Sequence, residues 1–210
     1  PRALAEEIVA KLKAKNASEI LKITVASPGF INFTIAPAVF DKELTRAISQ
    51  GTKWGWNETL KGKKVMVEYT DPNPFKEFHI GHLMSNVIGE SISRLVKASG
   101  AETKRACYQG DVGLHVAKAI WAIFEGQILS SDVVLGKLAD AYVVGSKSYE
   151  DAEEESEIKN EILVINKKIY DHSDPKINEL YNQGRQLSLY YFEAIYKRLG
   201  TKFDYLFFES

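Results

Sequence analysis

Cysteine is nearly absent from this chain. Cys107 stands alone among 210 residues, which excludes an internal disulfide framework and fits a reducing compartment. Long apolar runs are absent too: none approaches the ~20 residues a membrane-spanning helix needs, and no basic start with a small-residue cleavage site marks a secretory leader. The expectation is a cytoplasmic chain that stays off the membrane. No Gly-x-x-x-x-Gly-Lys-Ser/Thr loop occurs, which argues against P-loop kinases and GTPases, and no motif supplies a nucleophilic serine or thiolate. Internal repeats and low-complexity tracts are missing. Net charge is almost absent at −1, but residues 1–64 carry 11 Lys+Arg against 6 Asp+Glu, and residues 65–210 carry 16 against 22. A basic module joined to an acidic one is expected to meet a polyanion through its first part. Ordinary surface solubilisation is the competing reading.

What remains is patterned. Leu4, Ile8 and Leu12 predict a helix over 2–15, and "EILKITVA" and "FINFTIA" predict strands on either side of the Ser27-Pro28-Gly29 turn. Val39, Phe40, Leu44, Ala47 and Ile48 predict a helix over 37–50, stopped by Gly51. The result is a small α+β module, 1–60. "KVMVEYT" (64–70) reads as a buried strand, and "DPNP" excludes helix because each residue before a proline is pushed toward extended backbone. A helix is expected from about His82 to Gly100, a strand at "ETKRACYQ", a turn at "GDVG" and a helix at "LHVAKAIWAIF". Strand–helix–strand–helix order predicts a parallel, Rossmann-like sheet over 61–129. Residues 130–210 read as a helical insertion leading back to the sheet. It has N-cap chemistry at Ser131-Asp132, a charged and solvated or loosely held stretch over 149–172, and a helix restarting at Asp174-Pro175. The aromatic run 190–196 is expected to be core. Starting without Met and stopping in an apolar strand-like run, the chain is expected to be a fragment.

Ligands of open parallel sheets bind outside the carboxyl ends of the strands, where the loop 71–82 lies in sequence order. Gly81 leaves room for a base or phosphate near the backbone, and a helix mouth at His82 offers N–H groups to an anion. His79, His82 and Lys76 are donors suited to charge developing on phosphorus. Without a protein nucleophile, a substrate carboxylate attacking ATP is the reaction this set suits, giving an acyl-adenylate and pyrophosphate. His-x-x-His zinc ligation and two unrelated surface histidines are the alternatives, and the zinc reading lacks both a Glu-containing motif and a cysteine partner. Glu68 on a buried strand would be costly without a cationic partner. His115 reads as a packing residue, Asp111 as a turn and cap residue, Cys107 as core filler, His172 as surface, and Trp54 and Trp56 as packing between domains.

His79-Ile80-Gly81-His82 resembles the signature tetrapeptide of class I aminoacyl-tRNA synthetases. The wider block is more specific. Glu68, Pro72-Asn73, Lys76, that tetrapeptide and then Gly110-Asp111-Val112-Gly113 follow the pattern of arginyl-tRNA synthetases, and "SPGFINFTI" is similar to the end of that family's N-terminal domain. The resemblance implies a tRNA-contacting α+β domain at 1–60, then part of a Rossmann-like catalytic domain with its helical insertion. It implies ATP binding and adenylation by His79, Gly81, His82 and Lys76. It further implies an arginine pocket of Glu68, Asp71, Asn73 and His82, in which a carboxylate and an amide oxygen suit a planar fork of five donors. ATP with Mg2+, L-arginine and tRNA(Arg) are the implied substrates and partners, no structural metal is expected, and a monomer is. No Lys-Met-Ser-Lys-Ser-like loop or anticodon-binding domain occurs, so the fragment is expected to be inactive alone. A non-catalytic RNA-binding module and another adenylate-forming nucleotidyltransferase are the competing functions.

Overall fold

The computed structural model describes residues 1–15, 17–126 and 135–210 and divides into two compact units, Pro1–Trp56 and Asn57–Ser210. The expected N-cap at Ser131-Asp132 lies outside the described residues. In the first unit, α1 (Arg2–Ala14) lies on an antiparallel hairpin of β1 (Ile20–Ala26) and β2 (Phe30–Ile35), and α2 (Pro37–Gln50) follows. Gly29, at φ 154°, closes the hairpin turn, its N–H donating to the Ala26 carbonyl. Proline at the first turn starts α2 and Gly51 ends it. Ala5, Val9 and Ile23 are the buried apolar residues here. The expected stripe on α2 forms, but Phe40, Leu44 and Ile48 all remain exposed. Trp54 and Trp56 are about half exposed as well.

The second unit is built on a three-stranded parallel sheet of β3 (Lys64–Glu68), β4 (Glu102–Gln109) and β5 (Tyr205–Phe208), in the order β3-β4-β5. Glu68 lies opposite Ala106, and Cys107 opposite Leu206. Parallel neighbours need long crossovers. One is α3 (Ile80–Ala98); the other contains α4 (Leu114–Phe124), α5 (Leu135–Asp151), α6 (Glu157–Asp171) and α7 (Pro175–Leu199).

Three expectations need correction. Among the described residues β3 lies at the edge of the sheet, where it read as buried from sequence: Lys64, Met66 and Glu68 are exposed, Met66 at 55%. An apolar strand reads the same in sequence whichever neighbour covers it, and Glu68 is exposed among the described residues. The charged stretch 149–172 is not loosely held, because α6 buries Ile162, Ile165 and Ile169 at helical spacing. Its acidic run, Glu153 to Glu155, lies in the exposed connection before that helix. The aromatic run on α7 is only partly core: Phe192 and Tyr196 are buried, whereas Tyr190 is 76% exposed.

The main core lies among the helices. Val116 and Ile120 of α4 meet Leu138 of α5, Ile162 of α6 and Ile177 of α7, and Phe75 from the loop after β3 joins them. Asp174 caps α7 by accepting from the Lys176 and Ile177 amides, and Gly200 closes that helix in the left-handed region. No helix among the described residues is long and apolar enough to cross a membrane.

α5 packs tightly on α4 at Gly145, where a Cβ would overlap the Lys118 carbonyl. Two effects oppose each other at this position. Alanine gains ~1 kcal/mol in helix propensity over glycine, but forcing two helices apart costs ~1–3 kcal/mol or more. The overlap is with backbone, which cannot swing aside, so packing decides. Gly145→Ala is expected to destabilise the protein by ~1–2 kcal/mol in urea denaturation; a stabilised variant would mean the two helices are not in this contact.

Candidate active site

The residues from Tyr69 to His79 leave the carboxyl end of β3 as an irregular loop, pinned along most of its length. The Tyr69 amide donates to the Ala106 carbonyl at 3.1 Å, and the Thr70 amide to Ser85 Oγ at 3.0 Å. Asn86 Nδ2 donates to Thr70 Oγ1 at 2.9 Å, and the Phe75 amide to Ser188 Oγ at 3.0 Å. Pro72, Pro74 and Phe75 are buried. Thr70, Asp71 and Phe75 all have positive φ, at 82°, 46° and 68°. Such residues cost of order 1–3 kcal/mol each and persist only where their surroundings over-determine them, as the anchors here do. Asp71 departs from the extended backbone expected before a proline. Its Oδ1 accepts the Tyr108 amide at 2.7 Å, and a short polar side chain tolerates the left-handed region better than most. Burial raises the Asp71 carboxyl above its usual range, with the Tyr108 amide pulling the other way.

α3 starts at Ile80, not His82, so His79 is its N-cap and His82 lies within its first turn. The Gly81 amide donates to His79 Nδ1 at 3.0 Å, and the His79 amide donates to His82 Nδ1 at 3.2 Å. This is the reciprocal capping geometry usually made by Ser or Thr with Glu, here made by two imidazoles. The rings stack with centroids 3.8 Å apart and planes 20° apart. With both Nδ1 atoms accepting, each neutral ring carries its proton on Nε2, leaving two N–H donors for a ligand. Burial, then the neighbouring His79 and Lys76, pull the His82 pKa down to about 4. A Cβ at Gly81 would lie 2.9 Å from His79 Cε1. The glycine therefore makes room for the histidine pair as well as for any ligand. The His-x-x-His spacing carried this cap in plain view, but imidazole is not a customary capping side chain, so the sequence pointed to a later helix start.

Lys76 is half-buried and has no acidic partner among the described residues. Its Nζ lies 4.7 Å from the ring centroid of Tyr142 on α5. Its charge acts on His82 and also on His115 of α4, which burial first and Lys76 second bring down to about 4. His115 Nε2 lies 3.0 Å from the Gly110 carbonyl, as a packing histidine should. Phe78 supports the pair, with its ring 5.3 Å from that of His82. Neither Phe78 nor Tyr142 was singled out from sequence. An aromatic beside a motif carries no signal of its own, and Tyr142 is distant in the chain.

Glu68 is exposed and its carboxylate is unengaged among the described residues. Asn73 is half-buried, and its side-chain amide makes no hydrogen bond there either. Gly110 lets it approach β4: a Cβ at 110 would lie 2.8 Å from Asn73 Oδ1 and 3.2 Å from Glu209 Oε2. No three His, Cys, Asp or Glu side chains gather as a metal site among the described residues. Asp111 is more than a turn residue. It is fully buried and bonded to Arg185, Tyr181 and Ser210. Behind the site, Glu90 of α3 accepts from Tyr69 Oη at 2.6 Å, Arg94 Nε at 2.7 Å and Arg105 Nε at 2.9 Å. Burial opposes ionisation of Glu90, but these three donors outweigh it and hold its carboxyl below the usual range. The network sets the rotation of α3 on the sheet and so the direction in which its two histidines face. Cys107 is buried core, with its thiol pushed up to about 11 by burial; His172 is an exposed residue at the end of α6.

The lowered histidines make stability depend on pH. Unfolded, His82 and His115 titrate near 6.5, whereas in the fold they bind protons only near 4. Between these values the unfolded chain holds more protons, so stability is complete above pH ~6.5 and drains as pH falls toward ~4. Urea midpoints should drop between pH 7 and pH 4.5, and His115→Asn should shallow that fall. Equal midpoints at pH 7 and 5 would mean that neither imidazole is held neutral.

Comparison with known proteins follows the same lines. The model of the class I (R) tRNA synthetase catalytic domain matches residues 43–204, and that of the arginyl tRNA synthetase N-terminal domain matches residues 1–35. An arginine–tRNA ligase of Clostridium botulinum (strain Okra / Type B1) is 33% identical across 100% of this chain, which covers 36% of that relative. One from Thermococcus sibiricus is 31% identical across 100% of the chain, covering 34% of its own length. The chain thus spans about a third of the length of the curated relatives it matches. Among solved structures, Thermus thermophilus arginyl-tRNA synthetase superposes with a TM-score of 0.60 at 20% identity, covering 99% of this chain and 34% of that one. The Plasmodium falciparum enzyme gives 0.58 at 22% identity, covering 97% and 35%. These likenesses are of fold.

Proposed function

The chain belongs to the class I (R) tRNA synthetase family, and from that premise we propose that it forms part of an arginine–tRNA ligase. The whole protein would activate L-arginine with ATP and transfer it to tRNA(Arg). The observation that carries the reading is the stacked pair His79 and His82 at the mouth of α3, with both Nδ1 atoms occupied by backbone N–H groups. That arrangement turns two Nε2–H donors outward beside the Lys76 ammonium. Donors fixed before the reaction stabilise charge where it develops without reorganising at that moment.

In the adenylation step, the arginine carboxylate attacks the α-phosphorus of ATP, the bond to the bridging oxygen breaks, and pyrophosphate leaves with its electron pair. The two imidazoles donate to phosphoryl oxygens. Because His82 is neutral at pH 7, it can hold the loop cap through Nδ1 and donate to the ligand through Nε2 together. Lys76 adds positive charge toward the leaving pyrophosphate, and magnesium accompanying ATP would neutralise the remainder. The unengaged carboxylate of Glu68 and the unpartnered amide of Asn73 are the groups a guanidinium fork or an ammonium requires. The second oxygen of Asp71 is available to the same ligand, since its Oδ1 serves Tyr108. Residues 1–56, the first unit, carry 8 Lys+Arg against 5 Asp+Glu, an excess that supports contact with tRNA by that unit. A monomer acting in the cytoplasm completes the reading.

The test is ATP–pyrophosphate exchange by the full-length protein with arginine and tRNA(Arg) present. Exchange should depend on arginine. Glu68→Gln should lower kcat/KM for arginine at least ~30-fold, the worth of ~2 kcal/mol for a charged pair losing one partner, while changing KM for ATP far less. Exchange supported by a different amino acid and not by arginine would overturn the proposal.

A further inference from the structure

Lys76 is one of several half-buried lysines of the second unit. It has a long stem, lies half-buried in a loop, and has no carboxylate to hold it among the described residues. Freely rotating, a lysine samples ~2 kcal/mol worth of rotamer entropy, which scatters its charge. The group that limits it is Tyr142, whose ring centroid lies 4.7 Å from Nζ. Burial opposes ionisation of the phenol, but hydrogen bonding that includes the Lys76 ammonium lowers its pKa, so the hydroxyl shares in the contact. Tyr142 itself is well fixed. Its neighbours Leu138 and Ala141 are buried in the helical core, and Gly145, one turn on, lies against the Lys118 carbonyl. α5 repeats the device two turns later, where Tyr149 takes Lys118 Nζ at 4.4 Å and Lys159 Nζ at 5.3 Å. Positions seven apart share a helix face, so α5 presents a cation-binding aromatic edge, and its first member reaches the site.

The choice of partner has a physical consequence. A carboxylate would hold Lys76 more tightly but would cancel most of the charge a phosphate is to meet. An aromatic face attracts an ammonium by ~0.5–2 kcal/mol through its quadrupole and leaves the charge intact. An uncancelled charge also disfavours a second proton on His82 and on His115, which keeps the His82 ring able to accept from the His79 amide.

We infer that Tyr142 is a positioning residue for this site: it holds the Lys76 ammonium, undiminished in charge, in the direction of the His79–His82 pair. The inference rests on the reading that Lys76 acts on the phosphates of a nucleotide, but the contact can be tested apart from it.

Two measurements on the full-length protein do so. The first is acylation of Lys76 by a dilute N-hydroxysuccinimide acetate, followed by peptide mass spectrometry without substrates. Tyr142→Leu should raise Lys76 labelling at least threefold relative to Lys202 in the same sample, and Tyr142→Phe, which keeps the ring but loses the hydroxyl, should fall nearer the parent than leucine does. The second is arginine-dependent pyrophosphate exchange. Tyr142→Leu should lower kcat about tenfold, or ~1.4 kcal/mol, with KM for arginine little changed. Tyr142→Phe should recover most of that loss, and Lys76→Ala with Tyr142→Leu should be no worse than Lys76→Ala alone. If leucine unfolds α5, a trifluorinated phenylalanine at 142 keeps the size while removing the quadrupole and should behave as leucine was expected to. Unchanged Lys76 labelling, or additive losses in the double variant, would overturn the inference. Altered labelling in a protein that performs no exchange would leave the Tyr142–Lys76 contact standing and remove the functional reading beneath it.

Discussion

A single carboxylate with no access to water organises the second unit. Asp111 is 0% exposed and receives Arg185 Nε, the Ser210 hydroxyl and the backbone N–H groups of Glu209 and Ser210, with Tyr181 Oη at 3.4 Å. Burial alone would drive it to protonate. The Arg185 guanidinium and Ser210 outweigh that and keep its carboxyl below the usual range. An ionised group in such a place demands all its partners at once, and those partners come from α7 and from the far end of β5. The turn after β4 is thereby locked to both.

The site follows from that lock. α7 carries Ser188, which holds the Phe75 amide, and Gly184, whose missing side chain admits the Phe75 ring. Phe75 holds the loop between Pro72 and Lys76 in a conformation its own backbone disfavours. The other end of the same loop is fixed by Tyr69, Thr70 and Asp71 on α3 and β4. Strain is thus borne by the fold on both sides of Asn73, and three residues on Lys76 emerges with its charge unpaired. The electrostatics complement this geometry. The positive charge at the site is concentrated on one ammonium, while His82 and His115 beside it are kept neutral by burial and by that same ammonium.

Much of the architecture could be read in advance. The α2 span, β4 and α4 fall where hydrophobic period, proline and glycine put them, because those signals are local. The wrong expectations share one character: each concerned what lies next to an element. β3 read as buried and lies at the edge of the strands described. The stretch holding α6 read as solvated or loosely held and is solvated on one face but firmly packed on the other. Asp111 sits in its turn but also binds α7. Each outcome depends on a neighbour distant in sequence. The start of α3 failed for a different reason. Its cap is local but made by an uncommon chemistry, imidazole accepting from backbone.

The sequence by itself determined the order of elements, the break at the prolines, the basic character of the first 64 residues and the cluster His79, Gly81, His82 with Lys76 a turn before it. These depend on residue type and on spacings of a few residues, which the chain cannot lose on folding. Only the tertiary structure decided that the two histidines cap their own helix and stack, that Lys76 meets Tyr142 in place of an acid, and that Asp111 fastens the end of the sheet to α7. Those facts arise from contacts between segments tens of residues apart, where burial and the supply of partners, not local preference, set the charge and direction of each group.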